Sequence, residues 1–185
     1  MLCLGASAYA PAVARRAPST GEQFGLYAYG EAVGGLSLFY ADGQAHIGDP
    51  ANSTASEVSS VYCYHDYTLI RDILVESSDS TWVGNPNGTT SGNDSWSDQM
   101  LYIPDSSSSS HQMGFTSKNM SNVTTTGFIF YGNWVMVKSD SGEISSSFYV
   151  RENSKGEGIY SLLWNVSDEA TAIPVSLRST KPSNA

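Results

Sequence analysis

The stretch LSLFYADGQAHIG at residues 36–48 decides how this chain folds. Two short runs rich in apolar residues flank the pair Asp42-Gly43. An Asp-Gly pair supplies the positive φ angles that a tight hairpin turn requires. The stretch therefore predicts two antiparallel strands, 36–40 and 44–48, joined by a tight turn.

Short β-type runs of the same kind continue on both sides of this hairpin, broken by Gly, Asp, Asn and Ser. They lie at residues 24–30, 58–67, 127–132, 134–138, 144–151, 159–165 and 175–178. Residues 68–76 continue as an extended segment, although their apolar positions also fit a short helix, and 77–98 read as a long loop or two weak edge strands. This spacing predicts eight to eleven strands in an all-β fold, a single antiparallel β-sandwich, jelly roll or barrel.

The length of the chain limits the number of its domains, and its charge limits the kinds of partner that it can bind. The 185 residues are 40% hydrophobic and 15% charged, which suits one core and one domain at 21–179, followed by a tail at 180–185. The net charge is −9 and the nine Lys and Arg are scattered. Nucleic acid and anionic membrane surfaces are therefore not expected as partners.

The first twenty residues predict export from the cell. Residues 1–10 are apolar with small residues at Ala6, Ala8 and Ala10, as in a secretory leader, and a dibasic Arg15-Arg16 follows. We interpret 1–20 as a leader or propeptide, with a disordered arm as the alternative. Six sequons of the form N-x-[ST] support a secreted, extracellular glycoprotein, at Asn52, Asn87, Asn93, Asn119, Asn122 and Asn165.

Cysteine use leaves one thiol in the mature chain. Cys3 leaves with the leader, so that Cys63 is a buried core thiol, a reactive thiol or an intermolecular bridge. Alternation along 58–67 places Cys63 with Val61 and His65 on one face, and Tyr62 with Tyr64 on the other. We favour the buried thiol and expect a homodimer without a disulfide, formed if this strand lies at a sheet edge.

Catalytic and metal-binding motifs are missing from the sequence. There is no G-x-S-x-G, no H-x-x-x-H and no C-x-x-C, and His46, His65 and His111 stand far apart. We expect no metal, no cofactor and no catalytic residue.

The composition of the chain resembles that of the small jelly-roll xylanases, so that a carbohydrate-active hydrolase is the enzymatic alternative. It needs two carboxylates in one cleft, for which the candidates are Glu31, Asp66, Asp72, Glu76, Glu143 and Glu152.

Aromatic residues offer a binding surface, since exposed Trp and Tyr rings stack on sugar faces. Trp82 and Trp96 lie among Ser, Gly, Asn and Thr, and we expect both to be exposed in loops, with Tyr62 and Tyr64 as further ligand-binding residues. Trp134 and Trp164 lie among Val, Met and Leu and are expected in the core.

Residues 22–178 resemble a group of small secreted proteins of filamentous ascomycetes. The resemblance rests on FGLYAYG at 24–30, GGLSLFYADGQAHIGD at 34–49, Phe148-Tyr149 and GIYSLLWN at 158–165. It implies a secreted fungal β-sheet protein of effector or cell-surface type with no established catalytic residues. The expected function is therefore non-enzymatic binding of a carbohydrate or host protein, with recognition of a host or cell-wall component.

Overall fold

The computed structural model describes residues 17–19, 21–31, 33–65, 67–70, 73–76, 81–91, 96–167 and 171–183, with the backbone alone at 67–70, 73–76 and 88–91. This part of the chain contains no α-helix, and a 3₁₀ turn lies at Pro50–Asn52. Its strands are β1 Tyr27–Gly30, β2 Val33–Ala41, β3 Gln44–Ile47, β4 Val58–His65, β5 Tyr67–Ile70, β6 Ile73–Glu76, β7 Trp82–Ser91, β8 Gln99–Pro104, β9 Gly114–Thr116, β10 Val123–Thr124, β11 Phe128–Tyr131, β12 Trp134–Lys138, β13 Ile144–Ser145, β14 Phe148–Glu152, β15 Tyr160–Trp164 and β16 Ile173–Arg178.

Ten of these strands form a closed antiparallel β-barrel. The order around the wall is β1-β2-β4-β7-β8-β9-β3-β15-β14-β16, and the pairing of β16 with β1 closes the circuit. Closure removes the open sheet edges that would otherwise pair with other chains. The predicted all-β class is confirmed, and of the three architectures left open the chain adopts the barrel.

The β2–β3 hairpin confirms the turn read from Asp42-Gly43. Asp42 has φ of 49° and Gly43 has φ of 83°, so that both residues occupy the left-handed region. Ala41 pairs with Gln44 across the turn, and the register continues to Leu38 opposite Ile47. Two central residues with positive φ give the twist that matches the flanking strands.

A three-stranded extension, β11–β12–β13, is attached to the barrel wall through β12. Trp134 pairs with Arg178 of β16, while β11 and β13 pair with β12. Alternation buries Phe128, Val135 and Val137 in the main core. The residues between them point outward, which leaves Trp134 38% exposed. Its predicted core position is therefore wrong.

Trp82 and Trp96 are the largest corrections, because both are core residues. Trp82 has no exposed surface and stacks on Phe130, with ring centroids 4.6 Å apart. Trp96 is 2% exposed, stacks on Tyr40 at 4.2 Å, and donates its indole N–H to Ser59 Oγ at 3.3 Å. The expected exposure of both rings is wrong, and they are withdrawn as ligand-binding candidates. Residues 77–98 are expected from sequence to form a long loop or two weak edge strands; they contain instead the long strand β7, which pairs with β4 and with β8.

Strand β4 confirms the predicted alternation and settles the state of the thiol. Val61 and Cys63 are buried, at 7% and 1% exposure, whereas Tyr62 and Tyr64 are half-buried on the opposite face. Burial raises the pKa of the Cys63 thiol to about 12. Since β4 pairs with both β2 and β7, the predicted dimer contact through a free β4 edge is wrong, and a homodimer stays a prediction.

The segment after β4 is extended. Strands β5 and β6 pair antiparallel from Tyr67 opposite Glu76 to Ile70 opposite Ile73. This excludes the short helix that the apolar positions of 68–76 also allowed.

Candidate functional site

A cleft of about 530 Å³ opens where β8, β12 and β15 end. Ile103, Pro104 and Val137 contribute its apolar surface, and Trp164 of β15 lines it as well. The rest of the lining is polar and comes from the loops that follow these strands, from Lys138 at the end of β12, and from Thr124, Thr126 and Ser145 in or beside β10 and β13. Concave sites with apolar walls and a few polar groups at the rim are the usual form of small-ligand sites.

Trp164 is held at the cleft by its neighbours on both sides. Its ring makes an edge-to-face contact with Phe148, with centroids 4.9 Å apart. Its backbone N–H donates to the carbonyl of His111 at 2.9 Å, and its own carbonyl lies 3.0 Å from Nδ1 of His111. Trp164 is half-buried and packs against the main core. The prediction that it is a core residue therefore holds for one side of the ring only.

His111 also lines the cleft, and its hydrogen bond identifies its tautomer. The carbonyl of Trp164 can only accept, so Nδ1 of His111 carries the proton. In the tautomer with this proton on Nδ1, the other ring nitrogen, Nε2, is an acceptor. An acceptor of this kind suits a ligand hydroxyl group.

Two carboxylates line the same cleft, and the sequence pointed to neither. Asp105 Oδ1 accepts from the N–H of Ser107 at 2.8 Å, from Ser107 Oγ at 2.7 Å and from the N–H of Ser108 at 3.1 Å. These bonds, first of all the one from the Ser107 hydroxyl, lower the pKa of Asp105. Asp140 is exposed in the turn between β12 and β13. Because its pKa is lowered, Asp105 stays ionised over the physiological pH range.

The cleft continues into a second hollow of about 310 Å³. Thr124, Thr126 and Asp140 line both, and the far end carries Asn119 and the 40% exposed Met120. Hydroxyl groups from the loops after β8 and β10 line most of this path. Together the two hollows form a polar groove with one aromatic wall, longer than a single small ligand needs.

The carboxylates that were proposed from sequence and that the structure describes do not line the cleft. Glu31, Glu143 and Glu152 are exposed and do not line the cleft. Asp66 and Asp72 lie outside the described residues, as does the side chain of Glu76. Sequence reasoning missed Asp105 and Asp140 because a carboxylate in a Ser-rich turn looks like ordinary solvated loop charge.

The histidines do not assemble into a site. His46 is 4% exposed and bonds Asn153, whereas His65 contacts the rings of Phe24 and Trp82. In the described part of the chain, no three His, Cys, Asp or Glu residues come together as a metal site.

The sequon asparagines are placed where a glycan can be carried. Within the described ranges they are all exposed, at Asn52, Asn87, Asn119, Asn122 and Asn165. Asn93 lies outside those ranges. Asn165 is itself part of the cleft lining, so that a glycan attached there would compete with a ligand.

Comparison of the chain with models of protein families, with curated proteins and with solved structures gives no match. Over the residues that the structure describes, no helix is long and apolar enough to cross a membrane. The strand pairing establishes a small all-β barrel, and the comparisons assign it to no family. Its function is therefore inferred from the chemistry of its own residues.

Proposed function

We propose that this protein is a secreted, non-enzymatic carbohydrate-binding protein of fungal effector or cell-surface type, and that the cleft holds one or more sugars of a host or cell-wall polysaccharide. The observation that carries the proposal is the pairing of the Trp164 ring with a hydroxyl- and carboxylate-rich rim in one concave site. Aromatic rings stack on the C–H faces of sugars, and the rim groups pair with sugar hydroxyls.

Binding is favoured over hydrolysis by the lowered pKa and the hydrogen bonds of Asp105. A glycosidase needs one carboxylic acid whose pKa is raised so that it can protonate the leaving group. Asp105 has a lowered pKa and is committed to its own turn by three hydrogen bonds. A charged, solvated carboxylate accepts hydrogen bonds from sugar hydroxyls well, and is a poor general acid.

Hydrolysis is nevertheless the second candidate function, because one observation favours it. Asp105 and Asp140 line the same cleft, and most retaining and inverting glycosidases use a pair of carboxylates that flank the scissile bond.

Isothermal titration against a panel of neutral plant and fungal oligosaccharides tests the binding proposal. Asp140→Ala, which changes an exposed turn residue of the cleft, should weaken binding about tenfold because it removes a direct contact, and Trp164→Phe should weaken it less because the phenyl ring keeps part of the stacking surface. Glu143→Ala is the matched control, because it removes an exposed carboxylate close by in sequence that does not line the cleft. The titrations use protein made without N-glycans, because a glycan on Asn165 would compete with the ligand in the cleft.

A reducing-sugar assay on the same panel separates the two functions. Binding without release of reducing ends supports the proposal. Release that disappears in both Asp105→Asn and Asp140→Asn establishes the hydrolase instead. Absence of binding to every oligosaccharide, or equal loss in Glu143→Ala and Asp140→Ala, refutes the cleft as a sugar site.

A further inference from the structure

A second surface, on the outer side of the sheet, carries an exposed cluster of aromatic residues and one arginine. We call it the aromatic face and define it as Tyr29 on β1, Arg178 on β16, Trp134 on β12 and Tyr131 on β11. Arg178 is opposite Trp134 in the register, and Trp134 is opposite Tyr131. None of the four lines the cleft.

Exposure of large apolar residues is concentrated at this face. In the described ranges the exposed large hydrophobic residues are Met120, Tyr131, Trp134 and Ile144, and all but Met120 lie on β11–β13. Tyr131 is 76% exposed and Trp134 38%. Beside Trp134 a groove of about 480 Å³ runs between Tyr29, Met136 and Pro174. Clustered exposed apolar surface next to a groove marks a binding surface.

Arg178 is held between two rings of this face. Its guanidinium carbon lies over the Trp134 ring at 4.0 Å from the centroid, and over the Tyr29 ring at 4.8 Å. Tyr29 is itself fixed, since its hydroxyl donates to the carbonyl of Thr180 at 2.8 Å. Such contacts orient the planar guanidinium before any ligand arrives.

The charge of Arg178 is not neutralised within the described residues. No carboxylate there forms an ion pair with it, and its buried Nε has no hydrogen-bond partner. Arg178 is half-buried rather than enclosed. A preoriented guanidinium without a counter-ion is suited to a carboxylate, which it can bind through two parallel N–H bonds.

We propose that the aromatic face is a binding site for an acidic polysaccharide, a chain of uronic acid units. A carboxylate of the chain pairs with Arg178, and the adjacent sugar ring stacks on Trp134 and Tyr131. Tyr131, Trp134 and Arg178 lie in register on the neighbouring strands β11, β12 and β16, so that a chain running across these strands can contact all three side chains. The site is independent of the cleft.

One property favours a sugar chain over an acidic protein as the occupant. The face offers a shallow groove and one row of planar side chains, whereas a stable protein partner needs about 800 Å² of buried surface on each side. The protein also carries a net charge of −9. General electrostatics therefore oppose a polyanion, and any binding must come from the local arrangement.

Titration with oligogalacturonate, and with the same oligomer fully methyl-esterified, tests the site. The acid form should bind and the ester at least about tenfold more weakly. Trp134→Ala should weaken binding of the acid form about tenfold or more, and Arg178→Lys similarly, because a lysine keeps the charge but not the stacked, forked geometry. Tyr131→Ala, at a position too exposed to affect folding, should weaken it several-fold.

Ile144→Ala is the matched control, since it removes an exposed apolar side chain on β13 outside the aromatic face. It should change affinity by less than about twofold. Asp140→Ala should leave oligogalacturonate binding unchanged, which separates failure here from failure of the cleft. Equal affinity for acid and ester, equal affinity for poly-glutamate, no binding of the acid form, or full binding by Tyr131→Ala and Arg178→Lys would each overturn the proposal.

Discussion

The four tryptophans of this protein form two contrasting pairs. Trp82 and Trp96 lie in polar sequence and are buried in the barrel, at 0% and 2% exposure. Trp134 and Trp164 lie in apolar sequence; Trp134 lies outside on the aromatic face, whereas Trp164 is half-buried, packs against the main core and lines the cleft. The difference shows that the local composition around a tryptophan does not tell on which side of a sheet its ring lies.

The physical reason is the two-residue period of a strand. In a barrel wall only every second side chain faces the core, so polar residues next to an aromatic one occupy the outer face without cost. An apolar run such as Trp134-Val-Met-Val buries Val135 and Val137 and leaves Trp134 outside. The composition of a strand is the sum over both of its faces. Which alternate residues face the core is decided by how the strand pairs with its neighbours.

The largest expected effect is the loss of stability in Trp82→Ala. The ring contacts Phe24, Phe128 and Phe130 with centroids 4.6–5.3 Å apart. Its removal leaves a large cavity in the main core and should lower the free energy of unfolding by about 3–5 kcal/mol, measured by urea denaturation. Trp82→Phe keeps an aromatic ring and should cost clearly less. A loss below about 1 kcal/mol in Trp82→Ala would show that Trp82 contributes as little to stability as a surface residue such as Trp134.

A smaller effect concerns the buried His46 in the same barrel wall. Burial above all holds the pKa of His46 below its usual 6.5. The charge of Lys155 acts on this pKa in the same direction, whereas a hydrogen bond with the backbone of Tyr160 opposes it. The unfolded chain therefore takes up a proton at a higher pH than the folded chain. Stability should be complete above about pH 6.5 and fall below it, by at most about 1.4 kcal/mol per pH unit, until the folded pKa is passed.

Denaturation midpoints of the wild type and of His46→Gln between about pH 5 and 7 check this. Glutamine keeps a hydrogen-bonding side chain but does not titrate. The free energy of unfolding of the variant should therefore change less with pH than that of the wild type. Identical pH slopes in the two proteins would show that His46 is protonated as easily in the folded state as in the unfolded one.

The smallest expected effect is that of Trp134→Ala on stability. The ring is 38% exposed, and its described ring contact is with the Arg178 guanidinium. Removing it should lower the free energy of unfolding by less than about 1 kcal/mol, while oligogalacturonate binding falls. A loss as large as that of Trp82→Ala would remove the distinction between the two pairs and make Trp134 a structural residue.

Several elements of the fold were predictable from sequence because their signals are local. Asp42-Gly43 defined the β2–β3 hairpin, and alternation placed Val61 and Cys63 inward on β4. The candidate site was not predictable in this way. Asp105, Asp140 and Trp164 are far apart in the chain and meet only because β8, β12 and β15 end at the same place. The one available signal was Asp105 before a serine run, which is the pattern of an Asx turn rather than of a site.

The sequence alone determined the class of this protein, since short strands, Gly- and Asp-containing turns and the −9 charge are read residue by residue. Only the tertiary structure decided that the sheet closes into a barrel through β1 and β16, that β4 is paired on both sides, and that Trp134 and Arg178 meet on its outer face. Closure, burial and stacking depend on residues brought together from distant parts of the chain. Their energies come from those long-range contacts, which no local pattern contains.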